Sequence, residues 1–321
     1  MSAPGTVLPR YQRGARSQQL LSVLLGDYWF AQDESIPSAA LVELLSVFGV
    51  SGAGARGAIQ RLAQRGFLIG TRSGRHTDYA VAPMTRDIID SHVQVLFLSH
   101  RPQPWDGSWT LLAYSVPEDA AAVRRTLRDR LRQLRFGALY DGLWLRPGDA
   151  GEQVASELAA LPEALHPSQL TVFTKARLPS GAGHEAVAEA FQLREHASGY
   201  RAFLARWEPL ATMLDGGSVE TVLDTLWGTG ESAGDEVLRV RTSIMTDWRM
   251  LRRSDPQLPD ELLGPDYPLH RAVAVCSTVY DSLGPAAEST VRRILRRYRG
   301  DLASQVTHHT FAAATSLLTE G

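Results

Sequence analysis

The stretch "VFGVSGAGARGAIQRL", residues 47 to 62, carries Gly52-x-Gly54-x-x-Gly57, a spacing that lets backbone approach a pyrophosphate where a helix opens. The same stretch carries Arg56 and Gln60 one helical turn apart. Those side chains have the hydrogen-bonding geometry to read guanine and adenine edges in a DNA major groove. The two chemistries need different surroundings. A dinucleotide loop needs a buried strand before the glycines and an acidic residue about 20 positions on, at the end of a second strand. A DNA-reading helix needs another helix in front of it.

The flanking residues decide between them. In "IPSAALVELLSVFGV", Leu41, Leu44, Leu45 and Phe48 recur at i, i+3, i+4 and i+7, with Glu43 and Ser46 on the other side, which is a helical period. Pro37 and Ser38 suit the start of that helix, and Gly49 suits the left-handed residue that ends it. After the glycines, Ala55, Ala58, Ile59, Leu62 and Ala63 form a second apolar stripe that leaves Arg56, Gln60, Arg61, Gln64 and Arg65 outside. Asp78 lies at about the right distance for a ribose contact, but it precedes the apolar run "YAVA" instead of following one. The dinucleotide reading therefore fails.

A helix–turn–helix takes its place. "GFLIGTRSGRHTDYAVAP" reads as strand, Ser73-Gly74 turn and strand, with Arg72, Arg75 and His76 at the tip. With "SQQLLSVLLGDYW" as a first helix, presenting Leu20, Leu24 and Tyr28 on one face, residues 1–83 are expected to form a winged helix-turn-helix. Ser51, Gly52, Ala53 and Gly54 keep the start of its recognition helix slim, so that free backbone N–H groups can approach a phosphate. The candidate residues for double-stranded DNA are thus Ser51, Gly52, Ala53, Arg56, Gln60, Arg61, Arg72, Arg75 and His76. The bland alternative is a solvated arginine face.

Composition narrows the classes further. The chain has 321 residues, 44% of them apolar, and a formal net charge of −2, which suits a multidomain protein and not a uniform polyanion binder. The charge is unevenly placed: residues 1–80 hold eight arginines against five acids. Lys175 is the single lysine, which excludes a Walker-type phosphate loop. One cysteine, Cys276, excludes an intramolecular disulfide and fits a reducing compartment. No signal-peptide core or run of about 18 apolar residues is present, so a cytoplasmic protein without membrane contact is expected.

Beyond a linking helix and proline-rich linker over 84–103, residues 104–178 read in the order β-α-β-β-α-β, the ferredoxin-like unit. Its first helix carries Arg124, Arg125, Arg128, Arg130, Arg132 and Arg135, by default a solvated face, with contact to DNA or an anionic ligand as the alternative. Residues 179–321 carry helical patterns only, interrupted by "DPQLPDELLGPDYP". The fold class expected is therefore α+β multidomain: winged head, ferredoxin-like centre and all-helical C-terminal domain. In the last part, Arg241, Trp248 and Arg252 fall on one helix side as a candidate effector pocket for an aromatic or acyl anion, although a structural role is the favoured reading. His308-His309 would point about 100° apart on a helix and is expected at the surface. Catalytic motifs such as Gly-x-Ser-x-Gly, His-Glu-x-x-His and Cys-x-x-Cys do not occur, and neither a metal site nor a cofactor is expected.

Four spaced blocks in this order resemble the PaaX family of bacterial repressors. They are "GVSGAGARGAIQRLAQRGFL" with "GRHTDYAVA", the segment from "WDGSWTLLAYSVPED" to "RQLRFGALYDGLWLRP", "YRAFLARWEPL", and "DPQLPDELLGPDYPLHRAV". The resemblance covers nearly the whole chain. It implies a winged-helix head, a middle domain similar to the small CRISPR-adaptation endoribonucleases, and a helical C-terminal domain. It also implies a homodimer on a palindromic operator, released by an aryl- or acyl-CoA effector such as a phenylacetyl-CoA-like ester. Arg56, Arg75 and His76 take the family's DNA-reading positions, with His76-Thr77 departing from the more usual Arg-Ser of the wing. The middle domain suggests a rival activity, a metal-dependent nuclease. Those enzymes hold a divalent cation with an aspartate where this chain has Ser115, a poor ligand for Mg²⁺, and the nearby Glu118 and Asp119 suit a helix start.

Overall fold

Apolar residues three and four apart fold the first described segment into α1 (Ser17–Tyr28), which buries Leu20, Leu21, Leu24 and Tyr28. The structure, a computed structural model, describes residues 17–30, 32–74, 76–83, 85–86, 94–98, 104–117, 120–159, 169–178 and 184–316. A two-residue strand β1 (Ile36–Pro37) leads into α2 (Ser38–Ser46), with Pro37 as its N-cap, and α3 (Gly52–Gln64) follows after a short turn. Gly49 sits at φ +75°, and the N–H of Val50 returns to the carbonyl of Leu45 at 3.3 Å, so the glycine supplies the left-handed residue that closes α2. The hairpin of β2 (Leu68–Ser73) and β3 (His76–Val81) then pairs from Leu68↔Val81 to Ser73↔His76, and β1 adds to β3 through Ile36↔Tyr79. The sheet order is β1-β3-β2.

Strands β4 (Trp109–Ser115), β5 (Gly137–Tyr140), β6 (Leu143–Pro147) and β7 (Gln169–Ala176) form a second sheet in the order β5-β6-β4-β7, with every neighbouring pair antiparallel. Helices α4 (Ala121–Gln133) and α5 (Gly151–Ala159) connect them and cover one face, where Leu112, Leu127, Leu131, Trp144 and Val154 meet. The other face carries Trp109 and Leu145. It is covered by Val187 of α6 (His184–Ala190), by Phe191 and Leu193, and by Leu258 and Leu262 from much later in the chain. A fully buried large apolar side chain contributes about 1.5–3 kcal/mol, so neither face of this sheet is dispensable.

The remaining helices are α7 (Leu193–Asp215), α8 (Val219–Trp227), α9 (Glu231–Ser254), α10 (Leu269–Ser282), α11 (Gly284–Arg296), α12 (Gly300–Ala303) and α13 (Phe311–Ser316). Between α6 and α7 the chain turns at Gln192, with φ +51°. Of the linking helix expected over 84–100, a π-helical turn at Gln94–Leu98 is described and the rest lies outside the described residues.

Packing divides the chain differently from the boundaries read at 83, 103 and 178. One unit comprises the described residues of Met1–Ser99, Ala202–Arg253 and His270–Gly321, and the other those of His100–Arg201 and Ser254–Leu269. The reason is the second face of the sheet: residues assigned to the helical domain supply Phe191, Leu258 and Leu262, and a strand face bearing Trp109 and Leu145 needs that cover. Among the described residues no helix is long and apolar enough to cross a membrane.

Candidate nucleic-acid interface

α3 is amphipathic in the sense the sequence implies. Ala55, Ala58, Ile59 and Leu62 are buried against α1 and α2, while Ala53, Arg56, Gln60 and Arg61 are exposed. Ser51 is the N-cap, and its Oγ accepts from the Gly54 N–H at 3.2 Å, a contact of about 1 kcal/mol to the helix start. Two glycines have a defined spatial role. A Cβ on Gly52 would stand 3.5 Å from an Arg56 guanidinium nitrogen, and one on Gly57 3.1 Å from Arg61 Nη1, so both arginines lie along the helix over a glycine. Gly52 is half-buried, and Ser51 is exposed beside it at the helix entrance.

At the hairpin, Gly74 adopts φ +60° in the two-residue loop between Ser73 and His76, and Arg72 and His76 are exposed on either strand. Arg75 lies outside the described residues. Among the described residues, no carboxylate approaches Arg56, Arg61 or Arg72 within ion-pair distance. Several arginines elsewhere are compensated: Arg86 pairs with Asp33, Arg293 with Glu231 and Asp235 at 2.8 and 2.6 Å, and Arg297 with Glu43 at 2.8 Å. Arg56, Arg61 and Arg72 are thus exposed to solvent without a carboxylate partner among the described residues.

The other basic helices differ. On α4, Arg128 pairs with Asp141, Arg132 with Asp129 at 3.2 Å, and Arg124 donates to the carbonyl of Val116 at 2.9 Å. Arg124, Arg125, Arg128 and Arg132 line a shallow groove there together with Asp129. Several arginines of α11 and the residues just after it are paired within the fold, Arg292 with Glu288 at 2.6 Å and Arg299 with Asp301 among them.

The candidate effector stripe is interior. Arg241, Trp248 and Arg252 are each 0% exposed. Arg241 donates to the carbonyl of Tyr280 at 2.9 Å, the hydroxyl of Tyr28 at 2.8 Å and the carbonyl of His309 at 2.6 Å, and Trp248 donates to the carbonyl of Leu96 at 2.9 Å. The helical spacing was right, but the side faces the core, and the three residues do not line an open pocket in this state. His308-His309 also differs from expectation. It lies in a stretch without regular secondary structure before α13, with His308 Nδ1 2.5 Å from Glu288 and His309 stacked on Phe30 at 3.5 Å between ring centroids, so neither is a free surface residue. Burial, aided by Arg241 and Arg249, pulls the His309 pKa down to about 4. Ser115 ends β4 and is exposed, Glu118 and Asp119 lie outside the described residues, and no group of three His, Cys, Asp or Glu side chains able to hold a metal is found among the described residues.

Three N-terminal helices with a hairpin, a four-stranded antiparallel sheet unit and further helices define a mixed helix-and-sheet protein. Three family models match consecutive regions: "PaaX-like protein" over residues 16–83, "PaaX protein central Cas2-like domain" over 102–187, and "PaaX-like protein C-terminal domain" over 191–293. The chain belongs to the PaaX family. It is 26% identical to the transcriptional repressor PaaX of Escherichia coli (strain K12) over 275 residues, 84% of this chain and 80% of the relative. Its fold is similar to that of the uncharacterized protein Rv0674 from Mycobacterium tuberculosis, with a TM-score of 0.56, 20% identity, and coverage of 86% of this chain and 98% of the other.

Proposed function

We propose that this protein is a sequence-specific transcriptional repressor that binds duplex DNA as a homodimer. Its N-terminal part serves as a winged helix-turn-helix, with α3 as the recognition helix and the β2–β3 hairpin as the wing. The observation that carries this is the set of exposed, uncompensated arginines on α3 and the hairpin, beside a helix start whose Ser51, Gly52 and Ala53 leave backbone N–H groups approachable. Arg56 and Gln60 would read base edges, Arg61, Arg72 and Arg75 would hold phosphates, and His76 would add a contact from the wing. Membership of the PaaX family and similarity to the E. coli transcriptional repressor support repression. A location in the cytoplasm follows from that role.

The strand order β5-β6-β4-β7 with its two connecting helices supports a ferredoxin-like reading of the central unit. The effector is read as an aryl- or acyl-CoA type anion, by family resemblance. The buried state of Arg241, Trp248 and Arg252 argues that it binds elsewhere or only after rearrangement. Footprinting of the region upstream of its own gene at low salt, repeated with a panel of acyl-CoAs and free aromatic acids, tests this reading. Protection relieved by one member is expected, and no protected site would overturn it. The rival reading, a metal-dependent nuclease, has no feature among the described residues in its favour, and duplex DNA incubated with the protein and Mg²⁺ is expected to stay uncut.

A further inference from the structure

α2 is held from outside the head at two points. At its C-terminal end, Val47 is the cap residue, whose carbonyl belongs to the set that a helix end leaves without an intrahelical partner. Arg239 of α9 donates to that carbonyl from Nε at 2.5 Å, and Glu236, one turn earlier on α9, pairs with the same guanidinium. On the outward side, the Glu43 carboxylate accepts from Arg297 Nη1 at 2.8 Å and from the Tyr298 hydroxyl at 2.7 Å, both at the C-terminal end of α11. Arg297 also reaches Glu231 of α9 at 2.8 Å, and Arg293 bridges Glu231 and Asp235. The two supporting helices approach closely, because a Cβ on Gly234 of α9 would stand 2.6 Å from Thr290 Oγ1 of α11.

We propose that Arg239 and Arg297 are positioning residues for DNA recognition: the α9–α11 pair fixes the tilt of α2 and, through the packed α2–α3 turn, the pitch at which α3 presents Arg56 and Gln60. The inference rests on the reading that α3 enters DNA. Its physical content is a division of labour. Base contacts require side chains in fixed register with donor and acceptor pairs, whereas phosphate contacts tolerate a helix that tilts, because the backbone charge is repeated along the duplex. Loosening α2 therefore costs sequence discrimination before it costs electrostatic affinity. Any shift between α9 and α11 would reach the DNA surface by the same route, with no contact to DNA of its own.

The test uses the full chain. A duplex enriched from a random library by the wild-type protein is compared with a random-sequence duplex of equal length, by fluorescence anisotropy at fixed salt. Arg239→Met keeps the aliphatic stem and removes the donor, Arg239→Lys restores a donor, and Glu43→Ala releases Arg297 and Tyr298. Arg239→Met and Glu43→Ala are expected to weaken the selected duplex about tenfold while random-duplex affinity stays within about twofold, with Arg239→Lys recovering most of the loss. Gly234→Ala, which wedges α9 from α11, is expected to act in the same direction. Unchanged affinity for the selected duplex in both variants would overturn the proposal, as would an equal fall for both duplexes, which marks a merely structural role. Should Arg239→Met melt below the assay temperature, Glu43→Ala at its exposed ion pair decides alone. A wild-type protein that enriches no sequence overturns the DNA reading itself, a failure distinct from these.

Discussion

Arg241 of α9 donates from Nη1 to the hydroxyl of Tyr28 on α1 at 2.8 Å, between residues 213 positions apart in the chain. Its guanidinium lies 3.6 Å from the ring centroid of Tyr280, and its other nitrogens hold the carbonyls of Tyr280 and His309. One buried cation thus ties α1 to α9, α10 and the stretch before α13. Asp27, 1% exposed next to Tyr28, faces the same cluster through Arg249 at 3.3 Å, and burial pushes its carboxyl pKa up against the pull of Arg249 and Arg241.

Arg241→Met should destabilise the protein by about 3 kcal/mol or more, because it leaves two carbonyls and a tyrosine hydroxyl without their donor and Asp27 with a weaker counter-charge. Urea denaturation followed by tryptophan fluorescence would show the midpoint move down. An unchanged midpoint would mean that the cluster is incidental to stability.

The same cluster sets a pH dependence. The His309 pKa of about 4 in the folded chain lies below the ordinary value of 6.5, so between these values the unfolded chain binds more protons. Stability contributed by neutral His309 is complete above about pH 6.5 and is lost as pH falls toward 4, by up to about 3 kcal/mol. Asp27, raised by burial, works in the opposite sense as pH rises from its unfolded value. His309→Phe, which can keep the stack on Phe30, should flatten the fall in melting temperature between pH 6.5 and 4. A wild-type melting temperature flat across that window would contradict this.

Gly57→Ala should separate stability from function. Alanine is about 0.5–1 kcal/mol better than glycine inside a helix, and the new Cβ meets only the movable end of Arg61, at 3.1 Å. The melting temperature is expected to rise by a few degrees while DNA affinity falls, as Arg61 leaves its place over the glycine. Raised stability with unchanged DNA binding would remove Arg61 from the interface.

Arg56→Ala and Arg72→Ala should fail in different ways. If Arg56 reads a base, its loss costs about 1–3 kcal/mol and relaxes preference at one position. If Arg72 binds a phosphate, its loss weakens all sequences alike and reduces the slope of log affinity against log salt by about 0.9. Titrations of both variants at several salt concentrations distinguish these patterns.

What was legible in the sequence is what local spacing encodes. The stripe of Leu41, Leu44, Leu45 and Phe48 gave α2, Gly49 its end, and Ser73-Gly74 the hairpin, and each partner there lies within a few tens of residues. The central strand and helix order was legible for the same reason. What was not legible depends on distant partners. Nothing around Phe191 or Leu258 reveals that they cover Trp109 and Leu145, and nothing around Arg241 reveals that its helix face meets Tyr28 and His309. The compensation of α11's arginines by Glu43 and Glu231 was invisible likewise, since a basic helix reads the same whether it faces water or carboxylates.

The packing of the central sheet makes a further prediction. A fragment of residues 104–178, the ferredoxin-like unit as the sequence delimits it, lacks Val187, Phe191, Leu258 and Leu262 and so exposes Trp109 and Leu145. It should be insoluble or molten, without the sharp near-ultraviolet signal of packed tryptophans. A soluble fragment with a cooperative melt would show that the second face of the sheet needs no cover.

The most direct measurement is selection from a random duplex library by the full-length wild-type protein and by Arg56→Ala in parallel. DNA reading by α3 in a symmetric dimer predicts that the wild type enriches an inverted repeat with half-sites about 34 Å apart, and that Arg56→Ala enriches one with a position of each half-site relaxed. A wild type that enriches nothing, or an Arg56→Ala variant that selects the same motif with the same stringency, would contradict it.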